Sequence, residues 1–136
     1  MSLFRVSVVA RNPKDENRAT PPLEALVDTG SELTWLPAGV LGEAGITPRR
    51  KRTFVTATRQ TVTREVGYAI LACEGFETAD EVVFAEAGDL VLLGVRTIEG
   101  FGVLVDNVGH RFVAQTSIVV RQRPRAVRSP LAHRRD

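Results

Sequence analysis

In the stretch LEALVDTGSELTWLP, residues 23 to 37, an apolar run ends on a single carboxylate, Asp28, with Thr29 and Gly30 directly after it. Taking an ion out of water costs on the order of several kcal/mol unless a partner or a proton offsets it. A carboxylate in that setting is a candidate for acid–base chemistry. Other chemistries lack their residues. His110 and His133 stand apart, with neither HxH nor HExxH spacing, and the single Cys73 cannot complete a structural zinc site. No phosphate-cradling glycine loop of the GxxxxGKS, GxxxxGKT or GxGxxG kind occurs, and no GxSxG marks a nucleophile turn. Neither metal nor other cofactor is expected.

The elements that must position Asp28 read as short β-branched runs separated by turn residues, the pattern of an all-β sandwich or barrel. FRVSVVA (4 to 10) alternates as a strand, NPKDENRATPP (12 to 22) is a polar, proline-punctuated connection, and LEALVD (23 to 28) is the next strand. RTFVTAT (52 to 58) and QTVTREVGYAILAC (60 to 73) predict a long hairpin, and EVVFAE (81 to 86) and LVLLG (90 to 94) two further strands. One short helix is expected at VRTIEGF (95 to 101), then strands at GVLVD (102 to 106) and RFVA (111 to 114). Cys73 falls in the apolar YAILACEG and reads as a buried, inert thiol.

Asp-Thr-Gly at the end of an apolar strand, in ALVDTGSELTWLP, resembles the active-site turn of aspartic proteases, in both its retroviral and pepsin versions. Downstream, VLLGVRTIEGFGVLVD (91 to 106) is similar to the apolar-apolar-Gly segment and short helix of the retropepsin-like fold. The hairpin between them stands where that family carries its substrate-covering flap. The resemblance spans residues 4 to 114 and implies a closed retropepsin-like β-barrel with one short helix near its C-terminal end, over a domain of residues 1–120.

The chemistry so implied is peptide hydrolysis by two carboxylates that share one proton, since like charges at close range do not both ionise cheaply. The chain has one DTG and no second Asp-Ser-Gly or Asp-Thr-Gly. The resemblance therefore implies a homodimer with Asp28 of each subunit at the two-fold axis, and an extended peptide or protein as substrate. Thr29 would bond across the axis, Gly30 would allow the tight turn, and Ser31 would donate to the outer oxygen of Asp28. Leu93 and Gly94 would pack behind the turn, and Trp35 and Leu36 read as core, with the substrate pocket as their alternative place. The flap would comprise Thr56, Ala57, Thr58 and Arg59, where the family's glycines are missing. The insertion at 12–22 and the SIVV segment at 117–120 also depart from the viral pattern. A different class of reading is a retropepsin-like module that binds peptides or dimerises with little or no turnover.

The chain of 136 residues is long enough for one domain, and with 43% hydrophobic and 25% charged residues it has ordinary globular composition. Its net charge of +2 is uneven, because residues 121–136 hold six of the eighteen basic residues and one acid, leaving −3 on residues 1–120. That Pro- and Arg-rich tail reads as disordered and solvated. Contact with nucleic acid is its alternative reading, although no aromatic residues are interleaved to stack bases. Arg49, Arg50, Lys51 and Arg52 form a second basic cluster, which a solvated loop explains as well as nucleic-acid contact does. With no membrane-length apolar run and an N-terminal apolar stretch broken by Arg5, the expectation is a cytoplasmic protein that spans no membrane.

Overall fold

The computed structural model describes residues 4–115. The SIVV segment at 117–120, the tail at 121–136 and His133 lie outside the described residues. Along the chain come β1 (Arg5–Asn12), β2 (Asp15–Ala19), β3 (Leu23–Val27), β4 (Thr34–Pro37), α1 (Ala38–Glu43), β5 (Pro48–Val55), β6 (Thr61–Cys73), β7 (Phe76–Ala85), β8 (Leu92–Leu93), α2 (Val95–Phe101), β9 (Val103–Asp106) and β10 (Arg111–Ala114).

Alternation in β1 turns Val6, Val8, Ala10 and Asn12 inward. Its first half pairs antiparallel with β3 and its second half with β6. The pairings of the large sheet run from β1 through β3, β8, β4 and β7 to β6, and the β1–β6 ladder returns them to their start. β7 lies between β4 and β6, and its last five residues, Glu81 to Ala85, are all buried. The enclosed cluster includes Val8, Leu36, Leu71, Val82 and Leu93, none of them reached by solvent. Each such side chain contributes about 2 kcal/mol. A ring-rich part of the same cluster seats the β9–β10 hairpin: Phe112 lies 6.1 Å from Phe4, 6.5 Å from Phe76 and 6.2 Å from Phe101 between centroids. Cys73 is buried among these strands, and burial, followed by the nearby Glu74 charge, pushes its thiol up to about 12.

Several expectations require correction. The connection at 12–22 contains a strand, β2, whose five residues are all exposed. A strand at the sheet's edge needs no apolar face, so no alternation signals it. Two helices occur among the described residues rather than one. α1 holds two poor helix formers, Gly39 and Gly42, in six residues, and is kept in place by the buried Leu41. The basic run at 49–52 is no loop: it lies in β5, where Arg50 and Arg52 meet Glu81. The strand expected at 90–94 shrinks to Leu92–Leu93, and that expected at 81–86 begins at Phe76.

Candidate active site

Asp28 follows the last residue of β3, and its position is fixed by the neighbouring strand β8 and by its own turn. β8 lies beside β3, parallel, with Leu26 opposite Leu92 and Val27 opposite Leu93. The Asp28 N–H continues that ladder by donating to Leu93 O at 3.0 Å. The turn then closes on itself: Gly30 N–H donates to Asp28 Oδ1 at 2.9 Å, and Ser31 N–H donates to Asp28 O at 3.1 Å. In the single chain Asp28 is half-buried rather than buried, with Thr29 and Gly30 exposed beside it.

The Ser31 hydroxyl does not point where the resemblance puts it. It donates to Leu33 O at 2.8 Å and so braces the loop that leads into β4. Behind the turn, the β8–α2 junction wraps this same loop. Val95 N–H donates to Ser31 O at 2.8 Å and Arg96 N–H to Glu32 O at 3.1 Å. Those are first-turn donors of α2, which lack partners within the helix, and the loop after Asp28 supplies their acceptors. Leu93 is fully buried, and at Gly94 the two segments touch so closely that an added Cβ would lie 2.4 Å from Leu33 C and O.

A buried polar chain, absent from the expectations above, runs under this junction. Gly94 N–H donates to Thr34 Oγ1 at 2.9 Å, Thr34 Oγ1 lies 2.7 Å from Thr97 Oγ1, and Thr97 donates to Asp80 Oδ2 at 3.0 Å. With the Thr97 proton given to Asp80, the Thr34 hydroxyl is the donor to Thr97, and both hydroxyls are satisfied. The sequence holds little trace of this chain: Thr34 stands among apolar neighbours in LTWL, but Thr97 lies between Arg96 and Ile98 in RTIE.

Trp35 and Leu36 divide between roles. Leu36 is core, whereas Trp35 is half-buried and packs on Phe54 of β5 at 5.1 Å between centroids. The contact joins the floor of the sheet to the β5–β6 hairpin. At the hairpin tip, Thr56 N–H donates to Gln60 O at 2.7 Å and Arg59 N–H to Thr56 O at 2.9 Å, a three-residue loop closed by a turn. Such loops end on a left-handed residue, normally glycine, and here Arg59 takes that position with φ 65°. Arg59→Gly is expected to raise stability by about 0.5–1 kcal/mol by removing the Cβ clash of that conformation. The urea midpoint measures it, and a lowered midpoint would mean that Arg59 makes contacts worth more than the strain.

Charge gathers where the hairpin meets the body. Burial pushes the Glu81 carboxyl up, but the hydrogen bond from Arg50 and the charges of Arg50, Arg52 and Arg96 outweigh it and leave the carboxyl below its ordinary value. Arg96 also reaches Asp80 at 3.2 Å.

Among the described residues no helix is long and apolar enough to cross a membrane. No protein-family model matches the chain, and no curated protein matches it significantly. Among solved structures, 51 chains match. One is the foamy viral protease-reverse transcriptase in complex with an RNA/DNA hybrid, which this chain matches over 71% of its own length and 12% of that chain, with a TM-score of 0.51 and 22% identity. At that identity the likeness is one of fold, of retroviral-protease type.

Proposed function

We propose that the protein is an aspartic endopeptidase that hydrolyses peptide bonds with water held between two Asp28 carboxylates of a cytoplasmic homodimer. The observation that carries this reading is the Asp28 turn, where a half-exposed carboxylate is held by Gly30 N–H on a backbone fastened to Leu93. One chain brings one such carboxylate, and the reaction needs two. The ionised Asp28 takes a proton from the attacking water, while the protonated Asp28 of the second subunit donates a hydrogen bond to the scissile carbonyl oxygen, polarising it. As the C–N bond breaks, the first Asp28 passes to the amine nitrogen the proton it took from water, and the second Asp28 keeps its own, so the pair again holds one proton. An extended peptide lies between the sheet floor and the β5–β6 hairpin, with no cofactor. The basic tail takes no part in hydrolysis.

The glycine-free tip favours a second reading, a peptide-binding or dimerisation module with a stiff cover and no turnover. Dilution separates the two. If the site forms at a dimer axis, specific activity on a peptide substrate falls once protein concentration drops below the dimer dissociation constant. Adding excess Asp28→Asn chain under subunit exchange is expected to lower the wild-type rate, because each mixed dimer has one ionisable carboxylate. Rates proportional to concentration, from a species of monomer mass by sedimentation, would rule out the shared site. Absence of turnover from a verified dimer would leave the binding module.

A further inference from the structure

Arg52 on β5 and Arg64 on β6 are direct cross-strand partners in the hairpin. Their side chains are only 28% and 15% exposed. Like charges set opposite each other in a sheet repel, so the pair persists only because each arginine meets acids on another element. Arg52 reaches Glu81 at 3.4 Å and Glu32 at 3.7 Å. Arg64 makes a two-pronged contact to Asp89, Nε to Oδ2 at 2.7 Å and Nη2 to Oδ1 at 2.9 Å, with Nη1 donating to Thr63 O at 2.9 Å.

Glu81 is on β7, whereas Glu32 and Asp89 lie on the two loops that flank the β3–β8 pair. Glu32 follows the Asp28 turn, and Asp89 precedes β8. Asp89 is itself immobilised: Oδ2 accepts Glu86 N–H at 2.8 Å, its own N–H donates to Glu86 O at 2.9 Å, and Gly88 takes φ 92° to close the turn. The fork is the stronger of the two connections, because it is bidentate, charge-assisted and largely shielded. The hydrogen bond from Arg64 holds the Asp89 carboxyl below its ordinary value, so the contact survives mildly acidic solution and is lost only as pH falls through that lowered value.

We propose that Arg64, acting through Asp89, is a positioning residue that sets how the β5–β6 hairpin stands over the Asp28 turn. The fork grips the hairpin at its neck and leaves the tip beyond Phe54 and Val62 to swing about that point. An arginine is required there, since lysine keeps the charge and loses the second prong. The consequence for catalysis rests on the peptidase reading, whereas the mechanical role does not.

The experiment compares the full chain with Arg64→Met, Asp89→Asn, the double variant and Arg64→Lys. In the first three, amides of the hairpin ladder between residues 53 and 63 are expected to exchange hydrogen about tenfold faster, with the Asp28 amide unchanged. On peptide substrate, KM rises about tenfold in all three with kcat within about twofold, and the double variant is no worse than either single. Arg64→Lys falls between. Unchanged hairpin exchange overturns the proposal whether or not the protein cleaves peptides. Additive losses in the double variant, or faster exchange without a change in KM in an active enzyme, overturn it as well. If the wild type cleaves nothing, the peptidase reading fails by itself, and the exchange arm alone decides the role of Arg64.

Discussion

On the aspartic-peptidase reading, Asp28→Asn is expected to lower peptide cleavage by about a thousandfold or more while leaving the β-fold and the proposed dimer in place. The size follows from what the residue does twice over. In a symmetric site one substitution removes both the base and the acid, and positioned proton transfer is worth about 10²–10⁴ in rate. The fold should survive because asparagine has nearly the same shape and its side-chain oxygen can still accept the Gly30 N–H that Asp28 Oδ1 accepts at 2.9 Å. The measurements are the rate on a peptide substrate, circular dichroism and sedimentation. A second arm uses an inhibitor with a hydroxyl set to lie between the two carboxylates. It should protect the wild type against heat and leave the Asn variant unprotected. Cleavage near the wild-type rate would end the aspartic-protease reading, and equal protection of both proteins would place the inhibitor elsewhere.

The second large effect is one of packing. Gly94→Ala is expected to cost about 3 kcal/mol, the upper part of the usual range for overpacking a fitted interior. Gly94 has φ −91°, so its backbone suits any residue and the reason for glycine is space alone. The added Cβ would sit 2.4 Å from both C and O of Leu33. Neither side can yield cheaply, because Leu93 O, Val95 N–H and Arg96 N–H all bond to the loop that Leu33 belongs to. Any relief moves the loop or β8, and with it Asp28, so activity should fall beyond the loss of folded protein. Gly39→Ala is the control, for nothing lies within 4 Å of its added Cβ and its site is the helix α1. It should leave stability equal or raise it by about 0.5–1 kcal/mol. Equal unfolding midpoints for the two variants would show that the Leu33 contact relaxes freely.

What could be read from the sequence was local. The alternation of β1, the β-branched runs of β5 and β6, and the helix after Leu93-Gly94 each announce themselves within a few residues. The Asp28-Thr29-Gly30 turn does the same, being three consecutive residues whose closing bonds, from Gly30 N–H and Ser31 N–H to Asp28, are local. What escaped was set by distant partners or by the absence of an apolar face. β2 is polar on both sides, and α1 is held by tertiary packing against its own propensity. Thr34 and Thr97, 63 residues apart, meet only in the folded chain. The basic run of β5 looks like a solvated loop until Glu81 is placed beneath it. Ser31 shows the limit within the turn itself: its presence is legible, but the direction of its hydroxyl depends on where Leu33 O lies.

The bond from Asp28 N–H to Leu93 O also sets a time order. β3 and the turn after it leave the ribosome early, but the strand that fixes them is made near the end of the described region, after the whole β5–β6 hairpin and β7. Closing a loop of that length lowers the folding rate, and such pairings tend to form after local ones. A nascent chain carrying a complete Asp-Thr-Gly would therefore lack the backbone that aims it. On the peptidase reading, hydrolytic competence would arrive only once synthesis has passed Leu93 and β8 has slotted between β3 and β4.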